Sequence, residues 1–198
     1  MKTIFLVLFI ALSLTKIHAQ DKWKLAKNED GITVYVGAVA NSDYFAFKAL
    51  MSVKTSKTEI IKILKDVNKY SEWFAFTAST KLISQSTNEQ FFFMETDYPW
   101  PYSNECMNYK MIFEQLQDNK LKISITGMSK NVNCDYTLKK ASGFILLEPD
   151  SKSDYIKITY YFHSEPSQSI PTWLINPMIH EMPFQTFKAL AKKLNTII

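Results

Sequence analysis

The middle of the chain alternates apolar and polar side chains with a period of two. In residues 104–116, Met107, Tyr109 and Met111 are separated by polar neighbours, and residues 155–164 show the same alternation. Because successive side chains of a strand point to opposite faces of a sheet, this pattern predicts strands with one apolar face. Strand-like runs bounded by Asn, Asp, Ser and Pro clusters lie at 31–39, 44–53, 81–84, 90–96, 104–116, 120–128, 143–148 and 155–164.

A helix is predicted after the second of these runs. Ser56 is followed three residues later by Glu59, which is a capping box, and Ile60 and Leu64 then recur at helical spacing. Residues 68–76 indicate a second short helix or a turn. The order of a hairpin, helices, about six further strands and a terminal helix indicates an α+β domain, with a long antiparallel sheet and one long helix that covers it.

The terminal helix, predicted within residues 170–194, contains two prolines and is expected to bend. Pro177 and Pro183 each remove a backbone donor, and the apolar stripe rotates by more than a quarter turn at Pro183. The stripe before the rotation comprises Leu174, Ile175, Met178, Ile179 and Met182, and the stripe after it comprises Phe184, Phe187, Leu190, Ala191 and Leu194. Either the bend brings both stripes onto one interior, or the first half is a weakly attached cover and the second half an anchor.

Composition narrows the possible classes of protein. The 198 residues are 46% hydrophobic with four glycines, which is typical of one compact domain. All 23 basic residues are lysines, and a formal charge of +4 is too small and too scattered to indicate a nucleic-acid-binding protein.

The N-terminus has the features of a secretory signal peptide covering residues 1–19. Lys2 precedes an uncharged apolar run at 4–14, and a small-residue cleavage site ends at Ala19. The run is shorter than the roughly 20 residues that span a bilayer. We therefore expect an exported domain of residues 20–198, periplasmic or secreted, and the alternative is an N-terminus that stays in the membrane.

Two cysteines, Cys106 and Cys134, remain in the exported part. In an oxidising compartment such a pair favours a disulfide over a metal or redox site. If residues 104–116 and 120–128 form a hairpin, Cys106 lies opposite residues near Lys130, close to Cys134. A bridge would then stabilise the fold by roughly 3–4 kcal/mol in the chain-entropy model. Two unpaired thiols are the alternative.

Catalytic and metal-binding motifs are poor. Four scattered glycines exclude a P-loop, a dinucleotide fingerprint and a nucleophile elbow. His180 and Glu181 begin like a zinc-protease helix, but Phe184 stands where the second histidine is needed. We therefore expect no metal, no cofactor and no catalytic residue.

Eight stretches, taken in order, resemble the START (StAR-related lipid-transfer) domain family in a bacterial exported form. They are Trp23, GITVY (31–35), YFAFKA (44–49), YSEW (70–73), YPWP (98–101), GFILLEP (143–149), HSEP (163–166) and IPTWLIN (170–176), and they cover essentially the whole chain after the signal peptide. The resemblance implies a helix-grip fold, in which a curved antiparallel sheet wraps around a long C-terminal helix and encloses a tunnel for one lipid or similar apolar ligand.

The chain departs from the family pattern at two places. Asn104-Glu105 stands where the family has an Arg-Asp pair, and Glu165-Pro166-Ser167-Gln168 stands where it has Asp-Pro-Gly-Gly. Without arginine, a phosphate or carboxylate headgroup could not be bound in a bidentate manner. The absence of arginine favours a neutral or weakly polar ligand, and the turn without glycines indicates a less mobile lid.

Strand alternation assigns the residues that would line the tunnel. They are Phe92, Met94, Met107, Tyr109, Met111, Ile123, Ile125, Ile158, Tyr160 and Phe162, together with Met178 and Met182 from the terminal helix. At Phe92 and Met94 the opposite parity, with Phe91 and Phe93 inside, is equally apolar. Glu105 shares the face of Met107 and could accept a hydrogen bond from a ligand, or it could lie solvated at the rim.

The predicted function is therefore the binding, and possible transfer, of a lipid without catalysis. Leu174, Ile175 and Ile179 are assigned to a lid that would contact a membrane surface transiently, and the chain is expected to act as a monomer. The alternatives are a helix-grip enzyme of the polyketide cyclase/aromatase type acting on a hydrophobic substrate, and a protein-binding factor with a filled core. Sterol, fatty acid, phospholipid, hopanoid and polyketide ligands all remain possible.

Overall fold

The computed structural model describes residues 23–129 and 132–195. Within these ranges nine strands form one curved antiparallel sheet in the order β1-β2-β3-β9-β8-β7-β6-β5-β4. The strands are β1 (Lys24–Glu29), β2 (Ile32–Gly37), β3 (Ala46–Lys54), β4 (Thr77–Gln85), β5 (Glu89–Thr96), β6 (Glu105–Gln115), β7 (Leu121–Met128), β8 (Lys140–Pro149) and β9 (Tyr155–Glu165).

Local turn chemistry explains how neighbouring strands pair. Asp30 and Gly31 join β1 to β2 with φ angles of 49° and 69°, and Asp118 and Asn119 lie between β6 and β7 with φ angles of 54° and 55°. Consecutive positive φ angles match the twist of a tight hairpin, and Asp, Asn and Gly tolerate them best. The eight predicted strands are confirmed, whereas β1 was not predicted because its sequence KLAKNE is largely polar and does not alternate.

The helices before the meander follow the sequence pattern closely. α1 (Lys57–Lys65) begins after Ser56, whose hydroxyl accepts a hydrogen bond from the Glu59 amide at 3.2 Å. Ile60 and Leu64 are its buried residues. A 3₁₀ turn follows at Val67–Glu72, where a short helix or turn was predicted.

The C-terminal helix is divided rather than continuous. α2 (Thr172–Ile175) ends before a turn at residues 176–180, and α3 (Glu181–Lys193) begins after it. Pro177 lies in the turn, and Pro183 lies in the first turn of α3, where a backbone N–H has no helical partner to lose. A bend was expected at the change of stripe at Pro183; the structure has a break earlier, at residues 176–180, and α3 is the C-terminal helix that the sheet wraps around.

α3 anchors the C-terminus on the sheet. It lies against β2 and β3 and buries Phe184, Phe187, Leu190 and Ala191. Glu181 in its first turn accepts a hydrogen bond from Lys27 Nζ at 2.9 Å, which lowers the pKa of the carboxyl group. A negative charge at this end also complements the helix dipole.

The expected signal peptide falls outside the described residues. Among the residues that the structure does describe, we find no helix with the length and apolar character needed to cross a membrane. The predicted α+β helix-grip architecture is thus observed for the domain itself.

Candidate functional site

Between the sheet and the C-terminal segment lies an outer chamber of about 340 Å³. One wall is formed by residues 96–99 after β5, and the opposite wall by α2 and the turn that follows it. Its lining is mostly apolar and consists of Phe47, Phe76, Thr96, Asp97, Tyr98, Pro99, Phe162, Ser164, Pro166, Ile175, Met178, Ile179 and Met182. The volume is in the lower part of the range of small-molecule pockets.

A smaller inner chamber of about 80 Å³ lies deeper, against the concave face of the sheet. Both chambers share wall residues, which are Thr96, Tyr98, Phe162, Ser164 and Met182. The other residues of the inner chamber are Tyr70, Phe74, Phe92, Met94, Tyr109, Met111, Ile125, Leu138, Ile145 and Tyr160. None of its wall residues carries a formal charge.

The sequence-assigned lining residues fall into two groups. Seven line the inner chamber: Phe92, Met94, Tyr109, Met111, Ile125, Tyr160 and Phe162. Met107 and Ile123 line neither chamber and are fully packed, and Ile158 borders only a gap of about 10 Å³ beneath α3. Of the C-terminal residues, Ile175, Met178, Ile179 and Met182 line the outer chamber, whereas Leu174 does not. A tunnel along the whole apolar face was expected, and the described space occupies only part of that face.

Aromatic packing fills the rest of the concave face. The Phe92 and Tyr109 rings stack with centroids 5.5 Å apart, and Phe47 meets Tyr160 edge-on at 4.9 Å. Phe91, on the other face of β5, lies under Lys110 Nζ at 5.2 Å. The parity that places Phe92 and Met94 inside is therefore the observed one.

Sequence reasoning missed Phe47, Phe76 and Tyr98 among the wall residues of the outer chamber. Phe47 could have been found, because it alternates with Ala49 and Met51 in β3, and all three are buried. Phe76 and Tyr98 lie outside regular strands, where periodicity carries no signal. Phe76 has a φ of 56°, which is unusual for a bulky residue and lies outside the range of a β-strand.

Residues 172–180, which we call the lid segment, are attached by polar contacts and by partly buried side chains, of which Ile179 packs against the core. None of their side chains is buried. The Asn176 amide group joins the loop before β3 in both directions: its Oδ1 accepts from the Phe45 amide at 3.1 Å, and its Nδ2 donates to the Asp43 carbonyl at 3.2 Å. Just before the segment, the Tyr44 hydroxyl donates to the Ile170 carbonyl at 2.9 Å.

The chain has informative similarities to known proteins. A STAR-related lipid transfer protein from Xanthomonas axonopodis, of known structure, is 31% identical with a TM-score of 0.82, and the match covers 88% of this chain and 99% of that one. The chain belongs to the START family. No family model matches it.

Two curated proteins also match this START chain. An uncharacterized protein of Pseudomonas aeruginosa is 29% identical over 174 residues, which are 86% of this chain and 85% of that protein. The phosphatidylcholine transfer protein of Mus musculus is 23% identical over 164 residues, which are 78% of this chain and 75% of that protein.

Glu105, which marks a departure from the family pattern, has a role that neither sequence interpretation anticipated. Its carboxylate is fully buried, and it accepts hydrogen bonds from the backbone amides of Ser167 and Gln168 at 2.8–2.9 Å and from both of their side chains at 3.1 Å. It borders neither chamber. Its assignment to the ligand site and its alternative as a solvated rim residue are both wrong, because the turn before the lid segment folds over it.

The predicted disulfide is not formed in the structure, where Cys106 and Cys134 are both free thiols. The two side chains nevertheless interact, since burial and the neighbouring Cys134 thiol raise the pKa of Cys106. The expected proximity is therefore observed without the expected bond.

The two histidines that the structure describes, His163 and His180, line neither chamber. His163 Nε2 is 3.1 Å from Ser42 Oγ, on the convex face of β9, away from both chambers. Burial lowers the pKa of this imidazole. Among the described residues, no group of His, Cys, Asp and Glu side chains has the geometry to hold a metal ion.

Proposed function

We propose that this START domain binds a single lipid or other apolar ligand in its two connected chambers and carries it between membranes. The observation that carries the proposal is the position of the chambers: apolar space lies directly beneath a segment that contributes no buried side chain to the core. A ligand could therefore enter by displacement of the lid segment without disruption of the sheet.

The energetics of carriage require such a chamber. Moving a chain of some fifteen methylenes from a membrane into water would cost on the order of 12 kcal/mol, at about 0.8 kcal/mol per methylene. The outer chamber presents Phe47, Ile175, Ile179 and Met182 to such a chain. Met178 and Met182, with unbranched side chains, could adapt to ligands of different shape.

Lid opening is supported by the nature of its contacts. Separation of Asn176 from Phe45 and Asp43 breaks hydrogen bonds that water can replace, and the net cost of each is roughly 1 kcal/mol. Opening would expose Ile175 and Ile179, which could then insert shallowly into a bilayer.

Two exposed tryptophans support transient contact with a membrane. Trp100, next to the chamber residue Pro99, is 92% exposed, and Trp173 in α2 is 75% exposed. Tryptophan is enriched at membrane–water interfaces because its ring is amphipathic. Replacing both with serine is expected to reduce flotation of the protein with lipid vesicles.

The chamber walls support binding rather than turnover as the proposed activity. The only carboxylate on either wall is that of Asp97, which is exposed at the mouth. The fold by itself does not distinguish a carrier from a cyclase/aromatase. An enzyme would need an acid–base group next to its substrate, and no observation on these walls favours one.

Export to the periplasm or the exterior completes the proposal, together with action as a monomer. Its support is the N-terminal pattern of Lys2, the apolar run at 4–14 and the cleavage site at Ala19. Secretion would also place Cys106 and Cys134 where oxidation to a disulfide is favoured.

The decisive experiment is identification of the lipid that the protein retains. We expect protein incubated with a total lipid extract to yield about one lipid per chain on organic extraction and mass spectrometry. Ser164 lies on the walls of both chambers, so Ser164→Phe should obstruct them and reduce the bound lipid severalfold. Ser142→Phe is the matched control, because Ser142 is exposed on the other face. Equal lipid content in all three proteins, or none in the wild type, would contradict the proposal.

A further inference from the structure

Two tyrosines that line the inner but not the outer chamber, Tyr109 and Tyr160, have hydroxyls without a hydrogen-bonding partner in the described part of the chain, as does Tyr98, which lines both chambers. Tyr109 and Tyr160 are 4% and 3% exposed, and neither hydroxyl has a hydrogen-bonding partner among the residues that the structure describes. The fully enclosed side-chain atoms without a partner, among the described residues, are Thr77 Oγ1 and Gln90 Oε1, so the two tyrosine hydroxyls retain accessible surface, and the space that both residues line is the inner chamber.

Tyr70, on the same wall, shows the ordinary arrangement. Its ring packs edge-on against Phe92 at 5.9 Å, and its hydroxyl donates to the Leu64 carbonyl. A buried tyrosine of this chamber can therefore satisfy its hydroxyl within the protein. Tyr109 and Tyr160 keep theirs available to another molecule.

The charge of the inner chamber's wall determines which chemical groups of a ligand can bind there. Burial raises the pKa of Tyr109 and of Tyr160, so both hydroxyls stay neutral. The wall offers no cation to an anionic group and no carboxylate to a cationic one. An ion in this chamber would lose its hydration without an opposite charge to compensate.

The size of the chamber decides which part of a ligand fits. A volume of about 80 Å³ is far below the roughly 300 Å³ at which ligand pockets begin, whereas the outer chamber exceeds that value. The inner chamber therefore accommodates one end of a ligand, and the apolar body remains in the outer chamber.

We infer that the inner chamber binds an uncharged oxygen, a hydroxyl or a carbonyl, at the leading end of the ligand, and that Tyr109 and Tyr160 determine this specificity. The ligand lies with its polar end deep in the protein and its apolar body beneath the lid segment. This inference rests on the proposed function and assigns the chemical class of its ligand.

The test compares four ligands with the same chain and different ends: dodecane, dodecanol, dodecanoate and dodecyltrimethylammonium below its micellar concentration. Each displaces the neutral fluorophore N-phenyl-1-naphthylamine from the protein. For the double variant Tyr109→Phe with Tyr160→Phe, we expect affinity for dodecanol to fall about tenfold or more, because two hydrogen bonds are lost. Affinity for dodecane should change less than twofold.

Tyr35→Phe is the control, because Tyr35 lines neither chamber, and its dodecanol affinity should stay within twofold of the wild type. Both single variants are measured as well, so that the test does not depend on folding of the double variant. Equal weakening of dodecane and dodecanol, or wild-type preference for either charged ligand, would overturn the inference while leaving the proposed function intact. If none of the four ligands displaces the fluorophore, the proposed function itself is wrong.

Discussion

The two halves of the C-terminal segment are similarly apolar in sequence, yet they are attached to the domain in different ways. α3 buries Phe184, Phe187 and Leu190 against the sheet, whereas no side chain of residues 172–180 is buried. The lid segment is held by two hydrogen bonds of the Asn176 amide group, one accepted and one donated, and by the partly buried Ile179. Apolar content alone therefore does not make a segment part of the core, because burial also needs an opposing surface in the correct orientation.

The difference assigns separate roles to neighbouring residues. Apolar burial is lost as soon as side chains separate, so an anchor built from it opens only when the domain unfolds. Hydrogen bonds at the surface exchange with water at a modest net cost. A lid held by surface hydrogen bonds can therefore open while the buried side chains of α3 keep the C-terminus on the sheet.

The largest effect on stability is expected for a substitution in α3, which anchors the C-terminus on the sheet. Phe187 is 2% exposed and packs against Tyr160, with ring centroids 6.4 Å apart. Phe187→Ala should lower the free energy of unfolding by about 3–5 kcal/mol in urea denaturation, because it leaves a cavity in the core. Ile179→Ala in the lid segment should cost far less. Similar losses in both variants would remove the distinction between anchor and lid.

The next largest effect is expected at the turn between β9 and the lid segment. Glu105→Gln replaces a buried acceptor of several amide hydrogen bonds with a group that also donates, so we expect a loss of about 2–3 kcal/mol in the free energy of unfolding. Glu114→Gln, at an exposed position of the same strand, is the control. A Glu105→Gln protein as stable as the wild type would show that the turn does not depend on this carboxylate.

A smaller effect on stability, with a clear effect on transfer, is expected at the lid. Ile175→Ser combined with Ile179→Ser should slow ligand exchange with vesicles severalfold and reduce stability by less than about 1 kcal/mol, because both side chains are only partly buried. Ile83→Ser, at an exposed apolar position on β4, should change neither property. Proportional losses of stability and exchange would identify the two isoleucines as ordinary core residues.

The smallest effect on stability is expected from protonation of His163 at low pH. Burial lowers the pKa of His163 below its ordinary value of 6.5, against the opposing influence of Glu165, while nearby Lys140 adds to the lowering. The unfolded state then binds more protons, so stability from this group is complete above pH 6.5 and is lost as pH falls toward the lowered pKa. His163→Gln should flatten the slope of melting temperature between pH 7 and 5.

Because His163 contacts Ser42 in the loop that binds Asn176, acidification should also loosen the lid segment before α3. Hydrogen exchange at both segments would measure this. An unchanged slope of melting temperature in the variant would exclude His163 as its origin.

Much of the fold was predictable because its signals are local. The alternation of Met107, Tyr109 and Met111 depends only on the two-residue period of a strand, and Ser56 caps α1 through an amide three residues away. The division of the C-terminal helix was likewise visible in the rotation of its apolar stripe.

The site was less predictable because its residues meet through space. Glu105 binds a turn 62 positions later, and Tyr98 reaches the chambers from a loop without periodicity. Alternation placed Met107 and Ile123 on the same face as Tyr109, but it contains no information on how closely the opposite wall approaches.

The sequence by itself determined the eight alternating strands, their apolar face, the capped helix and the interruption of the C-terminal segment, since each depends on neighbours within a few residues. Only the tertiary structure decided where the apolar face is filled and where it is open, which carboxylate the turn folds over, and which half of the C-terminal segment is buried. The physical reason is that burial and cavity volume depend on the distance between opposed surfaces. That distance is set by how the sheet curves around α3, and no local pattern of residues encodes it.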